Sequence, residues 1–269
     1  MKITSLLPLL LFCLLISCSQ RFSKQPAVAA ITGSDSSFSD SAEFEKQMEA
    51  TLRTLPKNIK PVFGYRFIIE GDFDGDGKKE KLAEHFFSGL DHKETNKFYD
   101  SLPEYEQLIA LTVHKKPISF VSCTNPKIDT LLIASQGQLL GLSMLRNEGD
   151  LDGDGGDEIS YVVNWADFSN INTCYLMTCK DHHWQELYSF GIWDWQLPDL
   201  PETFSHYGLF GTEGKEINTN DTVNQRLEKE LNGFSGLIRK LQTNRISITY
   251  RNEEAMEDTK IVDLARLKK

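Results

Sequence analysis

Two stretches of the chain alternate aspartate with other residues at a spacing that suits a hard cation. The first reads Asp72-Phe73-Asp74-Gly75-Asp76-Gly77-Lys78-Lys79-Glu80, the second Asp150-Leu151-Asp152-Gly153-Asp154-Gly155-Gly156-Asp157-Glu158. They lie 78 residues apart in matching register. Carboxylates fall at loop positions 1, 3, 5 and 9, which are Asp72, Asp74, Asp76 and Glu80, then Asp150, Asp152, Asp154 and Glu158. Position 7 would add a backbone carbonyl, from Lys78 and from Gly156. Calcium takes six to eight oxygens at about 2.3–2.6 Å in a flexible shell. Four carboxylates, one carbonyl and one or two waters meet that demand. Three aspartates so close together would repel one another without a cation. Glycine stands at position 6 of both loops, where the chain must turn sharply. No Cys or His lies inside either loop, which argues against zinc and copper. Two calcium ions are the expected cofactors, with Glu70, Glu148 and Asp157 close enough to tune the local field.

The flanking residues decide what the loops connect. An EF-hand needs a bidentate Glu at position 12 and a helix on either side. Position 12 is Ala83 in one loop and Tyr161 in the other. Tyr65-Arg66-Phe67-Ile68-Ile69 precedes the first loop and Ile159-Ser160-Tyr161-Val162-Val163 follows the second, which is the composition of strands. Each loop therefore joins or borders two strands. In this the pair resembles the FG-GAP or VCBS-type repeat, the calcium hairpin loop of integrin α-subunit propellers and of many bacterial surface proteins. That family carries Gly-Asp-x-Asp/Asn-Gly-Asp-Gly-x-x-Asp between strands, often with Phe-Gly upstream, where Phe63-Gly64 stands here. Position 9 is Glu in both loops where the family has Asp, and the second repeat has Leu140-Gly141 in place of Phe-Gly. The resemblance implies a calcium ion in each hairpin, ligated by the residues named above.

The remaining elements read as a frame for these hairpins. Asp40 and Glu43 form a capping box for a helix with Phe44, Met48, Leu52 and Leu55 on one face, stopped by Pro56. Strands are expected at 63–69 and 82–87 around the first loop, and at 159–165 after the second. Three further hairpins are expected from 108–114 with 118–123, from 130–135 with 138–145, and from 174–178 with 184–192. Residues 222–241 read as a second helix, weakened by Gly233 and Gly236. Residues 245–251 and 260–264 read as a closing hairpin. The expected fold is mainly β. It consists of antiparallel hairpins in a small propeller-like or twisted-sheet domain over residues 40–269, with an N-terminal and a C-terminal helix.

Residues 1–17 read as a signal segment, with Lys2 ahead of an apolar run too short to span a membrane. The run ends Leu15-Ile16-Ser17-Cys18, which resembles the bacterial lipobox and implies that Cys18 carries fatty acyl chains such as palmitate. Two or three chains on one residue give stable attachment. Residues 18–39 are Ser-rich and aperiodic, a tether. Ser19 follows Cys18, and the outer membrane of the cell envelope is the expected location. The formal charge of −10 becomes −11 once Lys2 is removed, which excludes nucleic acid as a natural partner.

The other reactive residues offer less. Cys174 and Cys179 are five apart on one expected strand, about 16 Å at ~3.3 Å per residue, and cannot bridge. Cys123 could pair with either, or all three could stay reduced. The neighbouring His182 and His183 diverge on a turn and lack a third ligand. Trp184, Trp193 and Trp195 mark the most aromatic stretch, either core packing or a stacking platform for a glycan. Gly141-Leu142-Ser143-Met144 fails the nucleophile elbow, and neither a zinc-protease helix nor a phosphate loop is present. No enzymatic activity is therefore expected. The sequence points to a calcium-held, membrane-anchored binding or structural module with a protein or glycan partner.

Overall fold

Residues that alternate in burial build most of this molecule. In 80–87, Glu80, Leu82, Glu84 and Phe86 turn inward while Lys81 faces water and Ala83, His85 and Phe87 are half-buried. The computed structural model describes residues 41–62, 66–90, 92, 94, 98–100, 105–134, 139–167, 169–198 and 229–267. The expected signal segment, Cys18, the expected tether, Phe63-Gly64 and most of 198–220 lie outside them.

The chain runs α1 (Ser41–Leu52), β1 (Lys60–Val62), β2 (Ile68–Gly71), β3 (Glu80–Phe87), β4 (Phe98–Asp100) and α2 (Tyr105–Lys115). It continues with β5 (Ile118–Cys123), β6 (Leu131–Ala134), β7 (Leu139–Gly149), β8 (Glu158–Trp165), β9 (Ile171–Lys180) and β10 (His183–Trp193). It closes with β11 (Ile238–Gln242), β12 (Arg245–Arg251) and β13 (Glu257–Asp263). These strands form three antiparallel sheets in the orders β2-β3-β5-β6, β7-β8-β9-β10 and β11-β12-β13, besides a short β1-β4 ladder. None closes into a barrel. Both four-stranded sheets are meanders whose first hairpin carries an acidic loop. The closing pair is the same in each, Gly71 opposite Glu80 and Gly149 opposite Glu158.

The sheets pack in layers with the β7–β10 sheet in the middle. Phe67, Phe73, Leu82, Val121, Ile159 and Tyr161 share one core with it. Val162, Leu176, Ile192, Ile246 and Ile248 share the other. The first six residues of β8 are therefore buried whichever face they point to. One acid sits in the first core. Glu84 is 3 % exposed; its Oε1 accepts the Leu142 N–H at 2.8 Å and its Oε2 the Phe67 N–H at 3.1 Å. It thereby ties β3 to β7 across the layers.

Three expectations are corrected. Residues 108–114 are part of helix α2, not a strand. Leu108 and Leu111 pack on Leu140 and Ala166, while Ile109 and Ala110 meet Met48 of α1, so the segment is buried on two sides and lacks the alternation of a strand. The expected hairpin of 130–135 with 138–145 does not form. β6 pairs with β5 and β7 with β8, so the two segments belong to different sheets. The expected C-terminal helix over 222–241 is helical at 229–233 among its described residues, and from Ile238 it is strand β11. Gly236 at φ +86° turns the chain and sends Leu237 and Ile238 into the second core. The insertion of β4 and α2 between β3 and β5 accounts for the long interval between the two loops. Cys123, Cys174 and Cys179 are free thiols, and the latter two lie on the same strand.

Candidate metal centre

Each loop is anchored by the residue at its second position. Phe73 is fully buried in the first core, and Leu151 fills the second. Burying such a side chain is worth about 1.5–3 kcal/mol. With position 2 pointing inward, positions 1 and 3 are forced to the other side, where their carboxylates meet. Gly77 and Gly155 at position 6 adopt φ +85° and +98°, in the left-handed region that a side chain resists.

The structure brings together three acids from each loop, Asp72 with Asp74 and Glu80, and Asp150 with Asp152 and Glu158. In each trio one carboxylate oxygen per residue lies within 4.8 Å of the others. Hydrogen bonds from the loop backbone fix these groups. Glu80 Oε2 accepts the Phe73 N–H at 3.0 Å, and Glu158 Oε2 accepts the Leu151 N–H at 2.7 Å. Asp72 Oδ2 accepts from Gly77 at 2.8 Å and Asp150 Oδ1 from Gly153 at 2.5 Å. Two oxygens are buried without a hydrogen-bonding partner, Asp72 Oδ1 and Glu158 Oε1. Glu158 is wholly buried; burial, with the Asp152 and Asp154 charges nearby, pushes its carboxyl up to about 7. Glu80 is pushed upward for the same first reason. Buried, mutually repelling carboxylates with spare lone pairs make a donor set that a hard divalent cation satisfies.

The position-5 acids stand outside both trios. Asp76 is exposed and takes Lys78, with Nζ at 2.7 Å and the backbone N–H at 2.8 Å, while Asp154 accepts the Gly156 N–H at 3.0 Å. Lysine holds the Asp76 carboxyl below the usual carboxylate range. Basic groups rim both centres. His182 Nδ1 lies 3.7 Å from Asp74 and Lys180 Nζ 3.9 Å from Asp152, and Lys240 Nζ donates to the Asp150 carbonyl. His183 turns away to Asp129 at 2.7 Å.

The flanking acids do more than tune a field. Asp157 joins the two loops: its N–H donates to the Asp72 carbonyl at 2.6 Å, and its Oδ2 accepts the Asp72 N–H at 3.1 Å. Asn147 donates to that same Asp157 oxygen and to the Glu70 carbonyl, both at 2.8 Å. Glu148 is buried and accepts from Ser160 at 2.6 Å, and burial raises its carboxyl. Glu70 stays exposed and pairs with Lys81 at 2.9 Å, which lowers it. Sequence reasoning missed the Asp157–Asp72 bracket because nothing local marks residues 85 apart as neighbours. The close approach leaves no room at Gly71, where a Cβ would stand 2.4 Å from Asn147 Nδ2 and 2.7 Å from Asp157 Oδ2. Gly71→Ala is expected to destabilise the protein by about 1–3 kcal/mol, as overpacking does. A urea titration with unchanged slope and lowered midpoint would show it.

The three tryptophans are not brought together. Trp184 and Trp193 stand at opposite ends of β10, roughly 30 Å apart at ~3.3 Å per residue. Trp184 packs on Phe73 at 6.2 Å and donates to the Asp129 carbonyl at 2.9 Å. Trp193 and Trp195 stack face to face at 4.4 Å, with Arg251 over Trp193 at 5.4 Å.

No family model matches the chain, and no curated protein or solved structure gives a significant match.

Proposed function

We propose that this chain is a lipid-anchored protein of the cell envelope whose β-domain is held in shape by two calcium ions and serves as a binding or structural module. One observation carries the reading. Two loops with the same spacing close on the same pair, Gly71 with Glu80 and Gly149 with Glu158, and each gathers three carboxylates. The buried Asp72 Oδ1 and Glu158 Oε1, which accept no hydrogen bond, are oxygens that a cation would take up as ligands. Calcium suits this set better than magnesium, which demands near-ideal octahedral geometry and keeps its waters. Asp72, Asp74, Glu80, Asp150, Asp152 and Glu158 would ligate directly. Asp76, Asp154 and the carbonyls of Lys78 and Gly156 would complete the shells. The FG-GAP or VCBS-type reading rests on the loop spacing, with the same closing pair, Gly opposite Glu, in both hairpins. Cys18 as the acylated residue rests on the lipobox resemblance, and Trp195 favours a second reading. It is 63 % exposed and backed by Trp193 and Arg251, so its open face could take the apolar side of a sugar ring.

Trp184 offers a test of the first loop. Its contact with Phe73 puts an indole beside that centre, so terbium bound there should luminesce on excitation of tryptophan. Trp184→Phe should remove most of the sensitised emission, and Asp74→Ala should remove it by abolishing binding. Emission unaffected by Asp74→Ala would refute the site. For the anchor, Cys18→Ser should move the protein from the detergent phase to the aqueous phase of fractionated cells; unchanged partition would refute lipidation.

A further inference from the structure

The outward face of the β2–β6 sheet holds a constellation that no linear motif signals. Ser122 on β5 and His85 on β3 are diagonal neighbours, since Ser122 pairs with Ala83 and His85 with Phe120. Ser122 Oγ lies 2.7 Å from His85 Nε2. The other ring nitrogen, Nδ1, lies 2.5 Å from Glu94 Oε1, and Arg66 Nη1 donates to that same oxygen at 3.1 Å. The His85 ring stacks on Phe120 at 4.8 Å and 12°, which fixes its plane. We infer that Ser122 is a His85-activated nucleophile for acyl transfer from reactive esters, with Glu94 as the positioning residue.

The hydrogen bonds assign the roles. A carboxylate on Nδ1 holds the proton there, which leaves Nε2 free to accept the Ser122 hydroxyl proton. The nucleophile–base distance lies in the range that activation requires, and the base is held by a short hydrogen bond to its orienting carboxylate. Arg66 steadies the carboxylate, and two paired strands hold the serine and the histidine. In the reaction, Oγ attacks the ester carbonyl carbon as its proton passes to Nε2. The bond to the leaving oxygen then breaks, and that oxygen takes the proton from Nε2. Water attacks the acyl group next, giving a proton to Nε2, and Oγ departs with that proton while the acid is released. Base assistance contributes about 10²–10⁴-fold. That suffices for esters with good leaving groups, such as aryl esters, and not for amides. Ile68 and Leu132 are exposed on the same face, at 63 % and 57 %, and offer apolar contact to the acyl or aryl part. This inference stands apart from the calcium reading, since none of its residues belongs to either acidic trio.

The test is labelling of the full chain with a fluorophosphonate, in which Ser122 Oγ attacks phosphorus and fluoride leaves, followed by peptide mass mapping. The expected result is an adduct at Ser122, absent in Ser122→Ala and formed at least ~10²-fold more slowly in His85→Ala. Glu94→Gln should slow labelling while Glu94→Asp restores most of it. Urea-unfolded wild type should not label, a control that holds even if a variant misfolds. No adduct at Ser122 in the native wild type, or an adduct formed equally fast in folded His85→Ala, overturns the assignment and leaves a structural polar network.

Discussion

Chelation of calcium is expected to lower the midpoint of thermal unfolding by about 10–20 °C. Each ion held at a hundred times its dissociation constant stabilises the native state by about 2.7 kcal/mol, so two contribute roughly 5 kcal/mol. A domain of this size shifts by about 2–4 °C per kcal/mol. The direction follows from the site. Glu158 is wholly buried and Asp152 nearly so, and both face other carboxylates. Without a cation these neighbouring carboxylates repel one another in a buried place. The loss should be shared by both loops, because Asp157 and Asn147 bolt one to the other. Asp152→Ala alone should therefore weaken calcium binding at the first loop as well as abolish it at the second. Differential scanning calorimetry with and without a chelator reads the stability, and a midpoint that chelation leaves unmoved would remove the structural role of the ions.

Glu84→Ala is expected to cost about 3–5 kcal/mol, more than any single surface change. Its carboxylate is the acceptor for backbone N–H groups of Phe67 and Leu142, which belong to segments on either side of the first core. Charged hydrogen bonds of this kind contribute about 1.5–3 kcal/mol each, and removing the acceptor withdraws both from a buried place. The truncation also leaves a cavity. Glu84→Gln keeps the shape and one carbonyl acceptor, so it should recover roughly half of the loss. Equilibrium urea unfolding of the two variants checks the order. An alanine variant as stable as wild type would show that Glu84 does not tie the sheets together.

What the sequence disclosed and what it hid divide along one line, the distance over which the determining contact acts. The acidic loops were legible because their chemistry is local: nine consecutive residues carry the clustered carboxylates, the glycines and the inward-facing Phe73 or Leu151. Hairpins built on those loops, β9 with β10 and β12 with β13 were legible for the same reason. α2 was not, because Leu108 to Val113 is a run of apolar and β-branched residues that suits a buried strand as well as a buried helix, and only the contacts with Met48, Leu140 and Ala166 decide between them. Nor could adjacency reveal that β6 and β7 part into different sheets. Asp157 against Asp72, and Ser122 against His85 and Glu94, are products of sheet stacking and strand register. No spacing along the chain announces them.

The central claim concerns the two loops, and the most direct measurement is the number of ions bound. Calorimetric titration of the chelator-treated protein with calcium, against the double variant Asp74→Ala and Asp152→Ala, counts them. Two calcium ions per chain in the wild type and none in the variant is the expected result. No heat of binding at millimolar calcium, or the same stoichiometry in the variant, would contradict it, and the loops would then be acidic turns without a metal.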